Sequence, residues 1–176
     1  MLYYWISCCA LSQNVVNPYR YAVAVATKLW ESTETGESEG LWTNGATIAG
    51  ERFETGHILI GATPTKIIFN LKKTGSASGT AELKLINSSN VEKASFGTVD
   101  MDNLDGTFTA TPLEDATNTA TIADGDRLAW YYDGPQYFYF EACGACSETA
   151  TNESYYTDSW TNNSIVCTME VWGYAA

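Results

Sequence analysis

The sequence predicts an all-β fold: an antiparallel β-sandwich of about eight to ten strands with minimal helix. Three observations carry this reading. Apolar residues recur at period two, which places successive side chains on opposite faces of a strand. No apolar spacing of the helical kind is sustained anywhere. Clusters of Gly, Ser, Thr and Asn separate the alternating runs at the intervals expected of sandwich turns. A chain of 176 residues fits a single domain over 1–176, with 1–18 as an N-terminal arm or edge strand.

The elements follow in order. Residues 21–27 place Tyr21, Val23 and Val25 on one face and three alanines on the other. Residues 31–44 read as a loop crowded with Glu31, Glu34, Glu37 and Glu39. A strand is expected over 57–60. Residues 65–71 direct Ile67, Phe69 and Leu71 inward. Residues 81–86 direct Ala81, Leu83 and Leu85 inward, with Glu82 and Lys84 outward. Between these two, residues 72–79 are dense in Gly, Ser and Thr and predict a hairpin or a sheet-crossing connection. Further strands are expected over 94–99, 107–111, 119–123, 127–132, 136–142 and 164–173. The Ser/Thr/Asn/Tyr-rich segment 147–163 reads as the longest loop.

Charge narrows the function. Lys plus Arg number 9 against 21 Asp plus Glu, for a formal charge of −12. Such a surface repels phosphate backbones and anionic lipid, so no nucleic-acid partner and no membrane insertion are expected. No apolar run approaches the roughly 20 residues of a membrane span. The start, Met1 to Ala10, is apolar but lacks the basic region of a secretory signal. Its segment Leu2, Tyr3, Tyr4, Trp5, Ile6 is an expected subunit contact, because an apolar strand left exposed templates aggregation.

His57 is the sole histidine, which leaves little material for imidazole chemistry. Five cysteines are present: Cys8, Cys9, Cys143, Cys146 and Cys167. They are disulfide candidates in an oxidising compartment, and the odd count leaves one thiol over. A zinc site joining Cys143 and Cys146 to Cys8 and Cys9 is the competing reading.

The stretch 53–134 resembles a jelly-roll β-sandwich module of extracellular and viral surface proteins, of the lectin-like and carbohydrate-binding-module-like kind. The residues that carry the likeness are 65–85, then Phe96, Gly97, Thr98, Val99 and Asp100, then 122–128 with Asp124, Gly125 and Asp126. Asp158 to Trp160 and Met169 to Gly173 resemble the closing loop and strand. Some relatives of this architecture bind carbohydrate, and others build capsids, fibres or pili. The resemblance therefore implies a non-enzymatic structural or interaction protein. It would be a subunit of a virion (capsid, tail or fibre) or of an extracellular filament, located at the virion or extracellular surface. A homo-oligomer or other structural subunits are the expected partners. The alternative is a carbohydrate-binding module facing a cell-surface glycan.

Candidate sites follow from the residues. Trp130, Tyr131, Tyr132, Tyr137, Phe138, Tyr139 and Phe140 fall on two consecutive strands, and alternation sends half of them away from the core. Tyr137, Tyr139 and Trp160 would be stacking platforms, with Glu141 and Asp133 accepting from hydroxyls. A long-loop cover by Tyr155, Tyr156 and Trp160, or a neighbouring subunit, would account for the same rings. Asp100, Asp102 and Asp105 suggest a calcium loop, but Leu104 stands where that loop needs an oxygen ligand, which leaves a hard-cation site of other geometry or a polar turn. Asp133 and Glu141 do not by their spacing demand the opposed pair of a glycosidase, and no catalytic activity is expected.

Overall fold

The computed structural model describes residues 24–32, 39–41, 48–134, 136–143, 150–156, 159–162 and 166–176. Thirteen strands are assigned among them. The first seven are β1 (Thr27–Glu31), β2 (Glu39–Leu41), β3 (Ile48–Phe53), β4 (Thr63–Lys73), β5 (Thr80–Ile86), β6 (Glu92–Asp100) and β7 (Thr109–Glu114). The others are β8 (Arg127–Tyr131), β9 (Phe138–Cys143), β10 (Ala150–Tyr156), β11 (Ser159–Asn162), β12 (Val166–Cys167) and β13 (Met169–Tyr174). The only helical piece among the described residues is a 3-10 turn, Met101–Asn103.

Every pairing is antiparallel, and the strands form two sheets in a sandwich-like arrangement. The first sheet runs β1-β13-β4-β9-β12, with β7 on β4 and β2 on β9. The second runs β11-β10-β3-β8-β5-β6. The fold class is therefore as expected. The larger strand count comes from β2, β10 and β11 inside the two segments read as loops, 31–44 and 147–163, from β3, where the sequence predicts no strand, and from the division of 164–173 into β12 and β13. In the two loop-like segments, Glu, Ser, Thr and Asn content hides the strand signal in the sequence.

Alternation places the core correctly. Ile67, Phe69 and Leu71 of β4 are fully buried, as are Ala81, Leu83 and Leu85 of β5. The consecutive strands β4 and β5 belong to different sheets, so the Gly/Ser connection between them crosses the sandwich and closes no hairpin. Phe69 and Leu83 thus approach one core from its two sides. Trp130 of β8 meets Phe69 at 5.5 Å and Phe138 at 5.6 Å between ring centroids, edge to face in both cases. Phe140 packs on Phe69 and Tyr132 on Phe138. Such pairs add about 0.5–1.5 kcal/mol each beyond the area they bury. One buried carboxylate also ties the layers. Glu51 of β3 accepts the Cys167 backbone N–H of β12 at 2.7 Å.

Bulges set the second sheet's outer edge. Between β5 and β6 the register shifts twice, at Leu83/Lys84 and at Leu85/Ile86. The first shift, at Phe96 and the positive-φ Gly97, moves the inward positions from Ala94 and Phe96 to Val99. The second leaves Lys93 without an opposite residue, and its ammonium ion-pairs with the buried Asp126. Glycine is also required at Gly50, where a Cβ would stand 2.1 Å from the Leu128 carbonyl oxygen.

Three expected strands differ. Residues 24–26 are not strand, Val25 is 77% exposed, and the strand begins at Thr27. Alanines at alternate positions bury too little area to hold an edge, whereas Trp30 packs against the core. Residues 57–60 form successive turns, closed by bonds from His57 N to Glu54 O and from Ile60 N to His57 O, with positive φ at Gly56 and Gly61. Residues 119–123 form no ladder; Ile122 N bonds Ala62 O, and Gly61 N bonds Ile122 O. Residues 1–23, with the expected contact segment Leu2–Ile6, lie outside the described residues, as do Cys8, Cys9 and Cys146.

Truncating Phe69 to Ala should cost about 3–5 kcal/mol and truncating Leu83 about 2–5 kcal/mol. Denaturant titration checks both. A loss under about 0.5 kcal/mol at either position would place it outside the core.

Candidate functional site

A shallow groove opens on the outer face of the second sheet. Thr98 of β6, Glu82 of β5 and Tyr131 of β8 lie in one cross-strand row, because Glu82 pairs with both of the others. Thr80, Tyr132 and Asp133 complete the lining of a groove of about 340 Å³. That volume falls at the small end of ligand pockets. The row exists because Glu82, Thr98 and Tyr131 occupy the positions whose neighbours, Ala81, Val99 and Trp130, are buried.

The groove's charges are arranged in pairs. The Lys84 ammonium lies 3.1 Å from Glu82 and 2.9 Å from Glu92, and 5.1 Å from the Tyr131 ring centroid. The two carboxylates hold its pKa above the ordinary lysine range, with the Glu92 hydrogen bond the largest cause. The Ser95 hydroxyl donates to the other Glu82 oxygen at 2.8 Å. Tyr132 donates its hydroxyl to the Ser78 carbonyl at 3.0 Å, and burial raises its pKa. Asp133 is exposed at the rim.

Beside the groove the same face is covered. Arg127 and Ala129, outward by register, are buried. The Trp160 ring lies 4.3 Å from the Arg127 guanidinium, and its indole N–H donates to Asn90 Oδ1 at 2.9 Å. Trp160, from the segment read as the longest loop, thus lies over Arg127.

The remaining sugar-binding candidates stand elsewhere. Tyr139 and Glu141 are half-buried on the outward side of β9, in the first sheet, and Tyr137, half-buried, immediately precedes that strand. Glu141 accepts from the Asn70 amide at 2.6 Å. Lys72 lies 4.4 Å from the Phe108 ring centroid and 5.4 Å from that of Tyr139. A notch of about 90 Å³ on this sheet is lined by Asn70, Ser32, Thr168, Glu31 and Glu170. The Ser32 and Thr168 hydroxyls are buried and find no hydrogen-bond partner among the described residues. The five sequence candidates therefore divide three ways: Tyr137, Tyr139 and Glu141 at the first sheet, Asp133 at the groove, and Trp160 over Arg127. Glu141 and Asp133 do not face one another as a catalytic pair. Sequence reading missed Glu82, Thr98 and Tyr131 as a unit. Their outward parity was legible, but the adjacency of β5 and β8 was not.

The aspartates of the calcium reading serve turns. Asp100 Oδ1 caps the 3-10 turn by accepting from Asp102 N, and Asp105 Oδ1 accepts from the Thr107 N–H and hydroxyl. Those two Thr107 bonds, the hydroxyl's first, lower the Asp105 pKa. Among the described residues no group of three or more His, Cys, Asp or Glu side chains converges on a metal position. Cys167 is buried and stands opposite Ala142, one position from Cys143. Asn87, the first residue of an N-x-S triplet, uses its Oδ1 to accept from Ser89 N and Val91 N in a tight turn.

His57 is a structural residue. Its ring packs 5.2 Å from Trp30 and 5.1 Å from Phe53, and Nδ1 accepts from Leu59 N at 3.2 Å. The ring proton therefore sits on Nε2, which has no partner among the described residues. Burial lowers the His57 pKa below its ordinary value.

Comparison with known proteins finds no matching family model, no matching curated protein and no matching solved structure.

The His57 shift fixes a sign. The unfolded chain takes up the imidazole proton near pH 6.5, before the folded chain does. The contribution of a neutral His57 is complete above that pH and is lost as pH falls from 6.5 towards the lower folded value. Melting temperature should decline from pH 7 to 5, and His57→Phe should flatten that decline. An unchanged slope in the variant would assign the acid sensitivity to other groups.

Proposed function

We propose that this chain is a non-catalytic interaction protein of the jelly-roll class, a subunit of a virion or of an extracellular filament. One observation carries the reading. The outer face of the first sheet is laid with half-buried rings beneath cations. The ammonium groups of Lys28 and Lys66 each lie 5.8 Å from the Trp172 ring centroid, and Lys72 lies against Phe108 and Tyr139. Broad amphipathic rings anchor protein interfaces once water is excluded from them. Here they gather three of the chain's nine cations on a protein of charge −12. A neighbouring copy that sets its acidic surface on this face meets these cations, an attractive pairing of opposite charges. The apolar segment Leu2–Ile6 supplies a further contact in this reading.

A second reading, carbohydrate binding, is favoured by the groove beside Tyr131. It combines carboxylate acceptors, threonine hydroxyls and an aromatic ring in one concavity.

Native mass measurement and electron microscopy of the full chain test the assembly. A defined oligomer or filament is expected, and deleting residues 1–10 should weaken association while the melting transition persists. A full chain that stays monomeric at high concentration, or a truncated chain that no longer folds, overturns the reading.

A further inference from the structure

The geometry points to a binding site for a neutral, hydroxyl-rich saccharide in the groove between β5, β6 and β8, with Tyr131, Glu82 and Asp133 as its principal contacts. The inference rests on the carbohydrate reading and names the site and ligand class that would serve it.

The lining selects the ligand by elimination. An anionic sugar would meet the Glu82 and Asp133 carboxylates on a protein of formal charge −12. A cationic ligand would compete with a cation already in place, since the Lys84 ammonium holds both Glu82 and Glu92 and lies against the Tyr131 ring. A purely apolar ligand would strip water from two carboxylates and two threonine hydroxyls without replacing its hydrogen bonds. A neutral polyol satisfies every group. Its hydroxyls donate to carboxylates that accept only, and exchange bonds with Thr80 and Thr98, which both donate and accept. The C–H surface of a pyranose ring covers the exposed part of the Tyr131 ring.

The row is also held in place. Ser95 and Lys84 fix Glu82 from two sides. The Tyr132 hydroxyl is anchored on Ser78, across the sandwich connection. A preformed row of donors and acceptors lowers the ordering cost of binding a flexible sugar. The volume of about 340 Å³ accommodates a short stretch of glycan, with the remainder of a longer chain running out past Asp133.

The test uses the full chain on a printed array of neutral, sialylated and sulfated oligosaccharides, followed by titration calorimetry with the best-bound neutral one. Glu82→Gln, Asp133→Asn and Tyr131→Ala should each weaken binding about tenfold or more, through a lost charge-assisted bond or ring contact. Asp133→Asn changes an exposed rim residue, so it reports on the site even where the other two variants fold poorly. Tyr139→Ala, on the first sheet, is run in parallel. Loss in the groove variants with binding retained in Tyr139→Ala supports the site. Neutral-sugar binding that Tyr139→Ala loses and the groove variants keep moves the site to the first sheet. That result overturns this inference and leaves the carbohydrate reading standing. Preference for sialylated or sulfated sugars overturns the ligand class. A wild-type chain that binds no sugar overturns both.

Discussion

The contact between Trp130 and Phe69 holds the molecule together. Trp130 stands on a central strand of one sheet and Phe69 on the longest strand of the other. Both are fully buried, and Phe138 and Phe140 close around them from β9. Everything outward follows from what these rings fix inward. Once Trp130 faces the core, Tyr131 must face away, and once Phe138 and Phe140 face it, so must Tyr139 and Glu141. The outer surfaces that could recognise anything are therefore the complement of the core pattern. Core chemistry and surface chemistry are written on the same strands in alternate residues.

That complementarity explains what could be read from the sequence and what could not. Period-two alternation located the inward residues of β4 and β5 and divided the rings of β8 and β9 between two faces, because burial energy acts on each side chain separately. Turns follow their own chemistry: Gly125 adopts positive φ, and Asn87 closes its turn through its own side chain. Strand neighbours were not legible. Nothing in residues 72–79 tells a hairpin from a crossing, and nothing local says that Glu82 stands between Thr98 and Tyr131. Those adjacencies are settled by long-range pairing. The expected strand at 57–60 failed for a related reason. Its apolar residues suited a strand, but glycines at 56 and 61 let the chain coil and bury His57 between Trp30 and Phe53.

The two outer faces divide the surface chemically. On the first sheet, cations rest on rings and a carboxylate is satisfied by an amide. On the second, one end is sealed by Trp160 over Arg127, and the other opens as a groove lined by acceptors. The Trp160 cover shows how a Ser/Thr/Asn-rich segment contributes to structure despite its polar composition. One large ring, pinned at its nitrogen by Asn90, lies over the Arg127 guanidinium.

The edges carry a further consequence. Pro112 sits exposed in β7 and offers no N–H, and β6 is broken by two bulges that twist its bonding groups out of line. Neither strand can act as a template on which further chains add one after another. Cross-β growth, the open-ended stacking that turns soluble sandwiches into fibrils, is blocked at both places. At these two edges, neighbouring molecules at high local density are kept from joining their sheets by strand addition.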